Sequence, residues 1–185
     1  MRNHKQYELP QIGATYRALT VSDELNGGND FVTPHVLPKH HRDFAYVHAL
    51  FQSKGVDSVK LNVVCPDCKE KIVFDLQRNQ LMIDEMEDRL YGKEIKIKMN
   101  APMGDEELID LIDYVVIDDD QLFWKDCKDS EKEAVLESID FDVFKSISAA
   151  LEQPAVVANI PVVCSCGYER IVSLRGLQAF LEVMD

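Results

Sequence analysis

The sequence predicts an α+β fold, and three observations carry that prediction. Two short segments each hold a pair of closely spaced cysteines between stretches that alternate apolar and polar residues. A long segment between them carries apolar residues at helical spacing, and further helical stripes flank the cysteine segments at 40–54 and 177–184. Alternation with period two belongs to half-buried strands, and spacing of three and four belongs to helices.

In chain order, Tyr7-Glu8-Leu9 and Thr15 to Val21 read as two short strands, with Gly13 supplying the turn. Thr20 or Ser22 can cap a short helix that Gly27-Gly28 ends, and Pro34 and Pro38 mark 29–38 as a loop. From His40 to Lys54, Phe44, Ala45, Val47 and Phe51 fall at helical spacing, and Gly55 stands where a helix C-terminus favours glycine. Val56 to Val64 alternates, with Val59, Leu61 and Val63 on one face. It runs into Cys65-Pro66-Asp67-Cys68, and Lys71 to Leu76 leaves as a second strand. Lys93 to Met99 alternates again and is expected to extend the same sheet.

Residues 100–153 change character. Asp105 is expected to cap a helix carrying Leu108, Ile109, Ile112, Val115 and Val116. A polar, acidic loop is expected over Asp118 to Asp129, and Ser130 with Glu133 has the spacing of a capping box. Phe141, Phe144, Ile147 and Leu151 continue a helical stripe as far as Pro154. The expected organisation is therefore one α+β domain built from 1–99 and 154–185, with 100–153 as an inserted helical lobe. Val156 to Val163 returns to strand, passes through Cys164-Ser165-Cys166-Gly167 and leaves through Glu169 to Leu174. Leu177, Phe180, Leu181 and Met184 form a last amphipathic helix, which either completes the core or docks on another subunit.

Composition bounds the function. The 185 residues are 46% apolar, enough for a proper core, and carry 33 Asp and Glu against 20 Lys and Arg. A formal charge of −13 opposes any binding that gains affinity by neutralising phosphates, and no Lys/Arg cluster offsets it. Nucleic acid is therefore not expected as a partner. The opening residues lack the apolar run of an export signal, and no stretch approaches a membrane span. The expected compartment is the cytosol, where thiols stay reduced and close cysteine pairs read as metal ligands or redox pairs.

The cysteine segments resemble each other. Asn62 to Leu76 and Pro161 to Leu174 each read as strand, tight turn with two cysteines, and returning strand. Two such hairpins facing each other close a Cys₄ tetrahedron around one zinc ion, with Cys65, Cys68, Cys164 and Cys166 as ligands. The centre of the fold is then zinc-ribbon-like. A closed four-thiolate site has no position for water, so its zinc would be structural and its affinity part of the folding free energy. A redox Cys-x-x-Cys opens a helix after a strand, whereas Lys69 to Leu76 reads as strand. Cys127 is expected to be an ordinary free thiol.

Other candidates are weaker. His40-His41 lacks the spacing of a zinc hydrolase and is expected to be solvated at a helix start, while His48 shares a helix with Phe44 and Phe51 and is expected to pack. The acidic stretch 118–129 lacks the glycine and alternating oxygens of a calcium loop. No phosphate-cradling glycine loop or nucleophile elbow is present, so nothing nominates an enzyme.

Several segments in order resemble the baseplate hub family of T-even-type, contractile-tailed bacteriophages. They are Tyr-Glu-Leu-Pro at 7–10, Tyr-Arg-Ala-Leu-Thr-Val at 16–21, and the helix ending in 49–59 ahead of Val-Cys-Pro-Asp-Cys. They continue with Glu133 to Ser148, Val163-Cys-Ser-Cys-Gly, and Leu174-Arg-Gly-Leu-Gln-Ala-Phe-Leu. Set beside the family's usual Cys-Pro-x-Cys-Gly, the second cysteine turn here is one residue shorter. The resemblance implies a non-enzymatic hub subunit or hub assembly factor, acting through contacts with other phage baseplate and hub proteins. It also implies a location in the host bacterial cytoplasm during assembly and in the tail baseplate of the virion. The alternative reading is a zinc-ribbon adaptor that binds nucleic acid or the transcription machinery. A thiol oxidoreductase is the third class, and it requires an exposed thiol of low pKa.

Overall fold

A computed structural model describes residues 5–26 and 30–184, except for the side chains of 24–26. Gly27 and Gly28, expected to end the first helix, lie outside the described residues. The chain forms two compact units, Met1–Asp84 with Ala155–Asp185, and Glu85–Pro154.

The first unit opens with β1 (Tyr7–Leu9) and β2 (Ala14–Tyr16), antiparallel about a 3₁₀ turn that Gly13 ends at φ +60°. The strand expected to run to Val21 stops at Tyr16. There the Arg17 guanidinium turns to grip the Asp23 carboxylate with two bonds of 2.7 and 2.8 Å. The same carboxylate accepts the Thr20 backbone N–H at 2.6 Å, which makes Thr20 the cap of α1 (Val21–Asn26). This Arg17 contact, ahead of the opposing cost of burial, holds the Asp23 carboxyl well below the usual carboxylate range.

β3 (Val32–Thr33) pairs with β2, and α2 (Lys39–Lys54) follows. Gly55, at φ +66°, sends its N–H to Gln52 while Val56 reaches Phe51, the paired bonds that close a helix C-terminus. His40 falls on the same face as Phe44, Val47 and Phe51, and it is 3% exposed. The expectation of a solvated pair is thus corrected for His40, because four- and three-residue steps along the helix carry it inward. His48 packs against the rings of Phe44 and Tyr16, and burial lowers its pKa to about 4.

β4 (Ser58–Val64) and β5 (Lys71–Gln77) form a two-stranded hairpin, in register from Ser58 opposite Gln77 to Val64 opposite Lys71. β6 (Met82–Asp84), which the sequence reading missed, ends this part of the unit.

The second unit carries a four-stranded antiparallel sheet of β7 (Leu90–Tyr91), β8 (Ile95–Met99), β9 (Ile112–Ile117) and β10 (Asp120–Phe123), in the order 10-9-8-7. It also holds α3 (Asp129–Glu137) and α4 (Phe141–Leu151). Two expectations are corrected here. The strand at 93–99 pairs with β7 and β9 and not with the cysteine hairpins. The helix expected over 105–116 is a short 3₁₀ turn at Leu108–Leu111 followed by β9, so residues 100–153 are not purely helical.

The apolar spacing of that segment fits a helix, but Ile112, Tyr114, Val115, Val116 and Ile117 are β-branched or aromatic and favour a strand. Asp118 and Asp119, at φ 49° and 71°, make the two-residue turn that returns the chain as β10. The acidic stretch is therefore a hairpin turn, the strand β10 and a 3₁₀ turn, and its Trp124 is buried. The start of α3 is capped by Glu131, whose carboxylate accepts the Lys128 N–H at 2.8 Å, and not by the expected Ser130–Glu133 pair. Ile97, Ile112, Val115, Trp124 and Ile147 lie at the centre of this unit's core.

The chain re-enters the first unit through β11 (Ala155–Val163), which pairs with β6 on one side and β12 (Glu169–Arg175) on the other. α5 (Gly176–Met184) buries Phe180 and Met184 in the first unit's core, so the last helix completes its own domain. Among the described residues, no helix is long and apolar enough to cross a membrane.

Candidate metal centre

The β4–β5 and β11–β12 hairpins each end in a turn that carries two cysteines. In the first, Cys65 donates its N–H to Glu70 at 2.8 Å, and Lys69 returns its own N–H to the Cys65 carbonyl at 3.1 Å. In the second, Cys164 donates to Tyr168 at 2.8 Å, and Gly167 donates to the Cys164 carbonyl at 2.9 Å. The two turns share one plan. The missing residue lies between the second pair of cysteines, so a five-residue turn becomes a four-residue one. Lys69 and Gly167 hold equivalent places, and both adopt positive φ, 64° and 89°. The ladders beyond stay in step, with Val64 opposite Lys71 in one and Val163 opposite Glu169 in the other.

The turns face each other. Cys65 Sγ lies 3.7 Å from Cys166 Sγ, and Cys68 Sγ lies 3.4 Å from Cys164 Sγ. All four sulfurs fall within 4.8 Å of one another, close enough to hold one metal ion between them. Each turn contributes one buried and one exposed cysteine, with Cys65 and Cys164 buried and Cys68 and Cys166 at the surface. The buried pair belongs to the first unit's core together with Leu61, Ile72, Val162 and Val172. Sheet packing therefore fixes one thiol of each turn. A further bond, from Ser165 Oγ to the Glu70 carboxylate at 2.6 Å, ties the turns together beside the sulfurs. Sequence reading had not identified this pair.

Backbone amides address the sulfurs. The Cys166 N–H, more than any other contact, lowers the Cys164 thiol to about 7. At Cys68 the Glu70 N–H also acts downward, but the thiols of Cys164, Cys166 and Cys65, with desolvation, push it up to about 12. The Tyr168 N–H likewise favours the Cys166 thiolate, although the net shift there is upward. Thiols this close share negative charge poorly, so one deprotonates readily and its neighbours donate to it. A bound cation reverses that balance, because each thiolate then faces positive charge.

A family model described as T4 bacteriophage base plate protein matches residues 20–182 of this chain, a span that takes in both cysteine turns. The chain belongs to the T4 baseplate protein family. Membership makes it a structural protein of the phage baseplate, as the resemblance implied. No curated protein and no solved structure matches the chain significantly. Elsewhere in this baseplate protein, Cys127 lies in the second unit, apart from the four clustered thiols in sequence, and donates to the Phe123 carbonyl at 3.4 Å.

Proposed function

We propose that this baseplate protein is a non-enzymatic hub subunit or hub assembly factor. In this reading, a single structural zinc bound by Cys65, Cys68, Cys164 and Cys166 holds a zinc-ribbon-like centre together. Its partners are other baseplate and hub proteins, first in the host cytoplasm during assembly and then in the virion tail. The facing pair of cysteine turns carries the zinc part of the reading. With Zn–S near 2.3 Å, a regular tetrahedron has sulfur–sulfur edges of about 3.8 Å. The observed separations of 3.7 and 3.4 Å both lie slightly below that edge. Four thiolates are also the donor set of closed structural zinc sites, which offer no place for a substrate or water.

The role in assembly rests on family membership and on the acidic composition, which disfavours nucleic acid. Native mass spectrometry of the purified chain should show one zinc per chain, lost on chelation. A fully folded protein that never carries metal would overturn the zinc assignment. Co-expression with the other baseplate proteins of the same phage should yield a stable complex, and salt-sensitive binding to random DNA would instead favour the adaptor reading.

A further inference from the structure

The second unit holds an open groove with a volume near 580 Å³. Its floor is buried and apolar, formed by Ile97, Ile112 and Ile147. Its rim is exposed and equally apolar: Leu136 lies in the last turn of α3, and Phe141 and Phe144 lie in the first turn of α4, with Phe141 68% exposed. Phe141 and Phe144 stack with their planes 11° apart, and the Lys145 ammonium sits 4.6 Å from the Phe141 ring centre. Two large aromatic side chains beside a recess that reaches the core form a surface that gains by being covered.

Charge identifies the kind of occupant. Residues 85–154 contain 20 Asp and Glu against eight Lys and Arg, whereas the rest of the chain has 13 against 12. Nearly all of the protein's net charge therefore belongs to the unit that bears the groove. Glu107 lines the groove, and exposed Glu137, Asp140 and Asp142 adjoin the rim residues Leu136 and Phe141 in sequence. A second copy of this chain would set two strongly acidic units against each other, which like charge disfavours. Glu107 is the one polar side chain among the lining residues, which suits an apolar occupant better than a small polar ligand.

We propose that this groove binds a segment of a partner protein that carries large apolar anchors flanked by Lys or Arg. The apolar anchors enter the recess beside Phe141 and Phe144, while the flanking cations meet Glu107 and the carboxylates next to that apolar rim. This inference stands on the groove and its charge, and it holds or fails independently of the hub assignment.

A displayed library of random peptides, selected against the full chain, tests it. Selection should enrich peptides that combine two or more large apolar residues with neighbouring Lys or Arg. Their affinity should fall about tenfold or more in the F141S/F144S protein. It should also fall several-fold in D142K and on raising the salt to about 0.5 M. F141S alone, at a mostly exposed position, should keep the wild-type melting temperature and still weaken binding, which separates lost docking from lost folding. The proposal is overturned by an absence of enrichment, by selected peptides that lack basic residues, or by affinities unchanged in F141S/F144S. Sedimentation of the wild-type chain as a dimer that F141S dissociates would also overturn it, in favour of a second copy.

Discussion

The two cysteine turns are built alike and differ by one residue, and the difference shows which parts of such a turn are required. Each keeps a buried first cysteine, an exposed second one, and a positive-φ residue whose N–H bonds back to the first cysteine's carbonyl. What varies is the number of residues between the thiols and the identity of the positive-φ residue, Lys69 in one turn and Gly167 in the other. A turn can thus lose a residue if the ladder behind it stays in step. The sulfur positions are set by the strands at least as much as by the spacing motif.

The sharpest way to break that comparison is to separate the buried thiols from the exposed ones. Chelation should lower the melting temperature of the wild-type protein by roughly 10 °C, as loss of a ligand that binds only the folded state requires. With metal removed, C65S should be less stable than C68S by about 1–2 kcal/mol, because a hydroxyl would replace a thiol that is 0% exposed. Equal melting curves for the two apo variants would show that the core does not hold Cys65 in place.

A smaller effect separates the positive-φ residues. Gly167→Ala should cost about 1 kcal/mol, read by denaturant titration, since a Cβ there meets no atom within 4 Å and only the backbone conformation resists it. Lys69→Gly should change stability by less than about 0.5 kcal/mol, as relief of the same strain is offset by a more flexible unfolded chain. Inserting one residue after Ser165 should have the least effect. It gives the second turn the spacing of the first, so one zinc should remain and the melting temperature should move by no more than about 2 °C. Loss of zinc from that variant would mean that the short turn is specific to this site.

Much of the first unit was legible because its signals are local. The alternation in 56–64, the strand character of 156–163, Gly55 after a helical stripe, and the internal likeness of the two cysteine segments all correspond to observed elements. Which cysteines come together was legible too, since two matched hairpins, each with a cysteine pair at its turn, leave few arrangements.

The second unit was harder to read for a physical reason. Leu108, Ile109, Ile112, Val115 and Val116 satisfy helical spacing by accident, and the competing signal was residue type together with the consecutive aspartates that turn β9 into β10. Phe141 and Phe144 continue the helical stripe of Ile147 in sequence, yet both are exposed while Ile147 is buried. Periodicity names a face of a helix but not where along its length that face leaves the interior. β6 is three residues long and takes its strand character from its partner, so little in its own sequence announces it.

That short strand has a wider consequence. Asp84 and Ala155 stand opposite each other in the ladder of β6 and β11, at the points where the chain leaves and re-enters the first unit. Topologically, the second unit is the loop of a β-hairpin, enlarged until it became a body with its own core. A graft of that kind can be lengthened, exchanged or cut back to a tight turn without asking the remaining strands to find new partners. The cysteine turns belong to the first unit, so a change confined to residues 85–154 leaves the four clustered thiols and the strands that carry them untouched.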